Sequence, residues 1–94
     1  MSNKVEIGQN IVLLRKARHI SQEQLALRLE MSVSFLRAIE HGRANPSLDS
    51  LRRLSETLEV DIWVFFLYRQ DEESILAVLH EARNVSVRQK VGVR

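Results

Sequence analysis

Apolar side chains recur every three or four residues along most of the chain, which is the spacing typical of amphipathic helices. In the first such segment, residues 7–18, the apolar stripe consists of Ile7, Ile11, Leu14 and Ala17. Basic residues close this segment, where they suit the negative end of a helix dipole. The pattern therefore predicts a first helix over residues 7–18.

Two short amphipathic segments follow, each opened by a serine that can cap a helix. Ser21 begins the first, and Gln24 three residues later completes the pattern of a capping box. Ser32 begins the second, which is expected to end at His41 because Gly42 is a typical helix stop. The sequence thus predicts two short helices separated by a turn of only a few residues.

The rest of the chain predicts further helices and a tail of different character. Ser47 is expected to cap a fourth helix, whose leucine stripe consists of Leu48, Leu51, Leu54 and Leu58. Asp61 is expected to cap a short fifth helix, and residues 72–83 form a sixth amphipathic segment. The tail valines alternate as in a strand, so residues 84–94 are either a strand that needs a partner or a mobile end.

The composition fits a single small soluble domain. The chain has 94 residues, of which 45% are hydrophobic and 28% are charged, enough for one modest core. It contains no cysteine, which excludes disulfides and thiolate metal sites. The longest apolar run, at residues 62–67, is far shorter than the roughly 20 residues of a membrane span, and no signal peptide is visible. We therefore expect a cytoplasmic protein.

Charge is distributed unevenly along the chain, although the formal net charge is only +2. Residues 1–20 contain four lysines and arginines against one glutamate, whereas residues 47–66 contain four acidic residues against two arginines. Such asymmetry is weakly indicative of one face that binds nucleic acid.

Catalysis and metal binding have little support in the sequence. The histidines, His19, His41 and His80, are far apart and lack the spacing of metal ligands. The acidic run at residues 71–73 precedes a predicted helix, where negative charge is favourable for the helix dipole. We therefore expect no enzymatic activity, no cofactor and no metal ion.

The two short helices over residues 21–41 have the layout of a helix-turn-helix unit. Such helices cross at a steep angle, and the small side chain of Ala26 lets them approach. In this unit the first helix lies across the DNA backbone, and the second enters the major groove by its N-terminal end.

Residues 7–66 resemble the lambda-repressor-like helix-turn-helix family, also called the XRE or Cro/C1 type. The matching stretches are "SQEQLA" at 21–26, "IEHGRANPSLDSLRRLSETLEV" at 39–60 and "VFF" at 64–66. The resemblance implies an all-α five-helix bundle with a DNA-binding domain over residues 1–68. Residues 69–94, an extra helix and a short tail, would then be a dimerisation extension. More loosely, the chain is similar to the controller proteins of restriction-modification systems.

The resemblance also implies roles for individual residues. The positions that would face the bases are Ser32, Val33, Ser34, Arg37 and Ala38, and those that would hold phosphates are Gln22, Arg43 and Asn45. Arg15 and Glu40 match an ion pair that ties the first helix to the third. Arg37 is expected to donate to a guanine, the alternative being a surface arginine paired with Glu30 or Glu40.

Three residues depart from the pattern of the family. His19 and Glu30 stand where relatives most often have glycine in the interhelix turns. A left-handed backbone at either position would cost on the order of 1 kcal/mol. Phe35 stands where a polar residue or tyrosine is common, and either packs beneath its helix or faces the sugar-phosphate edge of DNA.

Apolar side chains near the C-terminus exceed what so small a core can cover. The residues assigned to a dimer interface on this ground are Trp63, Phe65, Phe66, Ile75, Val78 and Leu79. We expect a homodimeric transcriptional regulator, a repressor or autoregulator, that binds a palindromic operator in double-stranded DNA. The second hypothesis is an antitoxin or another interaction module that uses the same bundle to bind a protein partner.

Overall fold

A computed structural model of the protein describes residues 3–67, which form four α-helices and one 3-10 helix. The α-helices are α1 (Lys4–Ala17), α2 (Gln22–Leu29), α3 (Val33–Glu40) and α4 (Leu48–Leu58), and the 3-10 helix spans Ile62–Phe66. No strand occurs within residues 3–67, so the all-α class holds for this part of the chain. The predicted sixth helix, the tail and the extension at 69–94 lie outside the described residues.

The serines predicted to cap helices do so. Ser21 Oγ accepts a hydrogen bond from the amide of Gln24 at 3.0 Å, and Gln24 Oε1 accepts one from the amide of Ser21 at 2.9 Å. Ser32 and Ser47 each accept from the amide three residues later, also at 3.0 Å. A second capping box, between Asn3 and Glu6, starts α1 earlier than the apolar stripe alone predicts.

All four α-helices of residues 3–67 end at a residue with a left-handed backbone. The φ angles are +59° at His19, +55° at Glu30, +76° at Gly42 and +59° at Glu59. In each case the amide of this residue donates to the carbonyl three residues earlier, and the next amide donates to the carbonyl five residues earlier. This pattern is the Schellman motif, which usually places glycine at the left-handed position. Here three of the four are not glycine, including both turn positions questioned above.

The predicted fifth helix is present at Ile62–Phe66, but it is a 3-10 helix and not an α-helix. Five residues are too few for a stable α-helix, whereas 3-10 geometry is common in such short pieces. The side chain of Asp61 makes no capping hydrogen bond at its start. Val64 and Phe65 are buried, and Trp63 and Phe66 are exposed.

Asn10 fixes the end of the 3-10 helix against α1. Its side chain is fully buried, and Nδ2 donates to the carbonyl oxygens of Phe65 and Leu67, each at 3.0 Å. These hydrogen bonds satisfy carbonyls that the short helix leaves without an internal partner. The apolar pattern does not identify Asn10, because the residue is a polar side chain within the buried stripe.

The core lies between all five helices. Its fully buried apolar side chains are Ile11, Leu14, Leu25, Leu29, Leu36, Ile39, Leu54, Leu58, Val64 and Phe65. Within residues 3–67, the predicted apolar stripes of the α-helices are therefore confirmed, with one exception. Leu48 is 69% exposed because it occupies the first position of α4, before the stripe reaches the core.

Candidate nucleic-acid interface

The third helix lies at the surface with one face in the core. Leu36 and Ile39 are fully buried, whereas Ser34 and Arg37 are exposed. The five residues predicted to face bases lie at the start and on the outer side of α3, and they are Ser32, Val33, Ser34, Arg37 and Ala38. Ser32 Oγ is the N-cap of the helix, as predicted. Phe35 is 40% exposed, so it does not pack beneath the helix.

Glu40 anchors α3 to α1 through the predicted ion pair with Arg15. Arg15 Nε donates to Glu40 Oε2 at 2.7 Å, and Arg15 Nη2 donates to Glu40 Oε1 at 3.1 Å. The two side chains are only 9% and 2% exposed. Arg15 Nη1 also donates to the carbonyl of Ile20 at 2.9 Å, just before α2. One guanidinium thus fixes α1, the start of α2 and the end of α3 relative to each other.

Gln22 connects this buried pair to the exposed face of α3. Its Nε2 donates to Glu40 Oε1 at 2.7 Å, and its Oε1 accepts from Arg37 Nε at 3.3 Å. A continuous chain of hydrogen bonds therefore runs from Arg15 through Glu40 and Gln22 to Arg37. The resemblance predicts Arg15 and Glu40 as a structural pair and predicts that Gln22 can brace the recognition helix. It does not predict that Glu40 and Arg37 are the two partners of Gln22.

The alternative pairing of Arg37 with an acidic neighbour does not occur in the described part of the chain. Glu40 is paired with Arg15, and the carboxylate of Glu30 lies 3.7 Å from Arg53. The hydrogen bond to Gln22 uses only the Nε of Arg37. Among residues 3–67, nothing accepts a hydrogen bond from its two Nη groups, and the residue is exposed.

The loop after α3 carries Arg43 and Asn45, both of which are exposed. Gly42 holds this loop against α1, because a Cβ there would lie 2.8 Å from Val5 Cγ2 and 2.9 Å from Val5 Cα. The loop therefore starts at a fixed position at the C-terminal end of α3. An eight-residue helix is about 12 Å long, so this loop lies about that far from the N-terminal end of α3.

Gly8 is a residue of this site that sequence reasoning missed. A Cβ at position 8 would lie 2.4 Å from the carbonyl oxygen of Ile39 and 2.7 Å from that of Glu40. Only glycine therefore lets α1 pack directly on the last turn of α3. The sequence gives only a weak signal for it, which is a glycine inside a helical pattern where alanine would stabilise the helix by about 1 kcal/mol.

The basic N-terminal segment does not form one DNA-facing surface. Arg15 is buried, and Arg18 lies at the end of α4, where its Nε donates to the carbonyl of Leu58 at 2.9 Å. Two of the four basic residues of this segment thus serve packing and capping within the protein. The uneven charge along the sequence therefore does not locate the interface.

The residues assigned to a dimer interface have different positions. Phe65 is fully buried within the core of this chain, so its side chain is not part of an exposed surface. Trp63 and Phe66 are 51% and 44% exposed. The other assigned residues, Ile75, Val78 and Leu79, lie outside the described part of the chain.

The described residues contain neither a cluster that could bind a metal ion nor a helix that could cross a membrane. Within residues 3–67, no three histidine, aspartate or glutamate side chains are arranged to hold a metal ion. No helix in the same range is long and apolar enough to cross a membrane.

Comparison with known proteins agrees with this geometry. The Helix-turn-helix family model matches residues 11–62, more than half of the chain. No solved structure gives a significant match.

Three curated relatives illustrate the similarity. The chain is 39% identical over 56 residues to the immunity repressor protein of Bacillus phage phi105, covering 60% of this chain and 39% of the repressor. It is 43% identical over 61 residues to the HTH-type transcriptional regulator SlrR of Bacillus subtilis (strain 168), covering 64% of this chain and 40% of SlrR. It is 35% identical over 57 residues to the ImmF control region 10 kDa protein of phage phi105, covering 61% and 63% of the two chains.

The chain spans about two fifths of the length of the first two relatives. The family model extends from the middle of α1 to the start of the 3-10 helix and so contains both α2 and α3. The protein therefore belongs to the helix-turn-helix family of DNA-binding proteins, as the resemblance to its lambda-repressor-like branch predicts.

Proposed function

We propose that this protein is a sequence-specific transcriptional regulator that binds duplex DNA with α3 in the major groove. The observation that carries the proposal is the arrangement around Arg37. This side chain projects from the exposed face of α3, and Gln22 and Glu40 connect it to the buried Arg15. A helix anchored on one face and polar on the other suits insertion into a groove about 12 Å wide.

In this proposal Arg37 is the principal reader of a base. The guanidinium can donate two parallel hydrogen bonds to O6 and N7 of guanine, a contact worth about 1–3 kcal/mol of discrimination. Ser34 and Ala38 lie one turn apart on the same face and would meet neighbouring bases, and the partly exposed Val33 would meet a thymine methyl group.

Phosphate contacts would flank the reading helix on both sides. Gln22 is the first residue of α2, where unpaired backbone amides attract a phosphate. Arg43 and Asn45 follow the other end of α3 and are exposed. Contacts of this kind fix the register of a protein on DNA without reading sequence.

We further propose that two copies bind a palindromic operator. An eight-residue reading helix offers few base contacts, so a second copy is needed for high affinity. The exposed indole of Trp63 supports a dimer surface at the 3-10 helix. The two α3 helices would lie about 34 Å apart and read half-sites one helical turn apart.

The relatives are named as repressors and transcriptional regulators, which supports the same role for this chain. We propose that it acts in the cytoplasm as a repressor or autoregulator, blocking a promoter by occupying it.

Fluorescence anisotropy tests the DNA-binding proposal. The probes are a duplex selected by the protein from a random library and a shuffled duplex of the same length. We expect selective binding whose log affinity falls linearly with log salt concentration. Arg37→Ala should relax selectivity at one base pair, whereas Arg43→Ala should weaken binding to all duplexes alike and reduce the salt dependence.

Light scattering tests the dimer. Trp63→Asp places a charge on the proposed surface and should give a monomer that is still folded, because the indole is half exposed. Asp61→Asn, which changes a partly exposed residue two positions away, is the matched control and should leave the dimer intact. A Trp63→Asp protein that remains dimeric would place the interface elsewhere.

One observation favours the second candidate, a module that binds a protein partner as antitoxins do. Leu27 on α2 is 79% exposed, so its apolar side chain is available for contact with a protein partner. Equal, weak binding to the selected and the shuffled duplex would favour this candidate over the DNA-binding regulator.

A further inference from the structure

We infer that DNA binding by this protein is coupled to the uptake of a proton at His41, whose imidazolium donates a hydrogen bond to a backbone phosphate. The affinity for DNA therefore rises as the pH falls from about 8 to about 6, the range in which histidine side chains gain charge. The inference rests on the proposed function, and it deepens that function by adding a contact that depends on pH. His41 is not among the residues assigned to bases or phosphates above.

His41 lies on the outer face of α3, directly after the last residue of the helix. It is exposed, and its amide still donates to the carbonyl oxygen of Arg37 at 2.9 Å, as in an α-helix. His41 is therefore one turn beyond Arg37 on the same face. Gly42 follows and packs against Val5 of α1, which holds this end of α3 in place. Since Arg43 is two residues further on, the imidazole lies between a proposed base contact and a proposed phosphate contact.

A hydrogen bond to the backbone fixes the imidazole ring. Nδ1 of His41 lies 2.9 Å from the carbonyl oxygen of Arg37, which has a second lone pair besides the one that accepts from the His41 amide. A carbonyl oxygen only accepts hydrogen bonds, so Nδ1 must carry a hydrogen. Nε2 is then the nitrogen that gains or loses the proton, and the geometry of the ring points it away from this carbonyl.

The charge of this ring decides whether it can bind a phosphate. In the neutral ring Nε2 is a hydrogen-bond acceptor, and phosphate oxygens are acceptors as well, so the two groups cannot pair. In the protonated ring Nε2 donates, and a phosphate receives a charge-assisted hydrogen bond from a cation. Phosphate binding therefore favours the protonated form of His41, and by reciprocity the proton favours DNA binding.

The charged groups around this end of α3 leave the imidazolium to a phosphate. Glu40 is buried and paired with Arg15, and within residues 3–67 no carboxylate forms an ion pair with His41. The segments that meet here are the first turns of α1 and α2, α3 itself and the loop after it. Their other charged side chains are Lys4, Glu6, Glu23, Arg37 and Arg43. Cations outnumber anions in this set, so the surface attracts a phosphate.

Fluorescence anisotropy with the selected duplex, at about pH 6 and about pH 8 and constant salt, tests the inference. The unaltered protein should bind about tenfold tighter at the lower pH, because a hydrogen bond to a charged group is worth this much when fully formed. His41→Gln should lose the difference, since its amide can still donate to the carbonyl of Arg37 but does not titrate. The matched control, His19→Gln, removes another exposed histidine and should keep the difference.

The salt dependence is a measurement that a purely structural role of His41 would not change. A protonated His41 neutralises one further phosphate, so the slope of log affinity against log salt should be steeper by about 0.9 at the lower pH. His41→Lys carries its charge at both pH values and should show the steeper slope at both. This variant also keeps the test valid if His41→Gln folds poorly. The ratio of affinities for the selected and the shuffled duplex should not change with pH, because phosphate contacts do not read sequence.

The outcomes separate the inference from the proposed function. The inference is wrong if the affinity does not change with pH, if His41→Gln keeps the change, or if the affinity changes while the salt slope stays the same. A selectivity ratio that depends on pH through His41 would also contradict it, since the contact would then be to a base. If the selected and the shuffled duplex bind equally, but more tightly at the lower pH through His41, the sequence-specific function fails and the phosphate contact stands.

Discussion

Arg53 on α4 donates from Nη1 to the carbonyl oxygen of Leu29 at 2.8 Å, at the last residue of α2. The same guanidinium lies 3.7 Å from the carboxylate of Glu30, the left-handed residue that follows. A helix end without glycine is thus capped by an arginine from another helix. The contact also joins α4 to the turn between the two helices of the DNA-binding unit.

Arg18 makes the equivalent contacts at the end of α4. Its Nε donates to the carbonyl of Leu58 at 2.9 Å, and its Nη1 lies 3.5 Å from the carboxylate of Glu59, which is also left-handed. The arrangement therefore occurs twice in this small fold. In both cases the glutamate supplies a carboxylate that glycine would not, although its backbone conformation is unfavourable.

Arg53→Met should lower the free energy of unfolding by about 1 kcal/mol, the typical value of one hydrogen bond. The ion pairs of Arg53 with Glu30 and Asp49 add little, because all three side chains are exposed and such pairs contribute about 0–1 kcal/mol each. Urea denaturation measures the change. Arg52→Met is the control, since Arg52 is exposed and its side chain has no hydrogen bond within residues 3–67. An equal loss in the two variants would contradict the capping role.

His19→Gly should stabilise the protein by about 1 kcal/mol, because glycine relieves the left-handed backbone. His19 is exposed and no side-chain contact is lost. Glu30→Gly should stabilise less, since it also removes the carboxylate beside Arg53. The thermal midpoint reports both changes. The control, His41→Gly, should destabilise, because His41 has a φ of −89° that histidine adopts freely and its Nδ1 lies within hydrogen-bond distance of the Arg37 carbonyl oxygen, at 2.9 Å.

Most of the helices could be predicted from the sequence, because spaced apolar residues and serine caps are local signals. The Schellman ends could be predicted only in part. Gly42 identifies one of them directly, whereas Glu59 gives no local sign of a left-handed backbone. Its conformation is stabilised by Arg18, which is 41 residues away in the sequence. The spacing of apolar residues along the chain does not predict contacts between residues that are distant in sequence.

In the candidate site, too, some features could be predicted from the sequence and others depend on contacts between distant residues. Its residues, the ion pair of Arg15 with Glu40 and the bracing of α3 by Gln22 could be named from the family pattern, but the partners of Gln22 on α3 could not. That pattern assigns Arg15 and Glu40 to structure and Gln22 and Arg37 to DNA, and only the folded chain brings all four into one hydrogen-bond chain. The burial of Phe65 was misjudged for a related reason. In a short aromatic run the sequence does not specify which ring faces inward.

The buried ion pair gives a prediction that separates stability from DNA reading. Arg15→Met should destabilise the protein by roughly 3 kcal/mol, because it leaves the Glu40 carboxylate buried without its guanidinium. Arg15→Met combined with Glu40→Leu should recover most of this loss, since apolar side chains can replace a buried pair. Chemical denaturation measures both.

The recovered double variant should still have lost base selectivity, because Gln22 no longer has Glu40 as an acceptor. Anisotropy with the selected duplex and its single-base variants measures this. Full selectivity in a stable double variant would show that the pair serves the fold alone.

Gly8→Ala should destabilise the protein, although alanine is the better helix former by about 1 kcal/mol. The new Cβ would lie 2.4 Å from the carbonyl oxygen of Ile39, and backbone at this distance cannot rotate away as a side chain could. Relief requires α3 to move away from α1, at a typical cost of about 1–3 kcal/mol for overpacking, and the overpacking term is therefore expected to win. Thermal denaturation should show a lower midpoint, whereas Lys16→Ala, an exposed control on the same helix, should not. Because α3 would move, DNA affinity should fall by more than the loss of folded protein explains. A higher midpoint for Gly8→Ala would show that α1 and α3 have room for a methyl group.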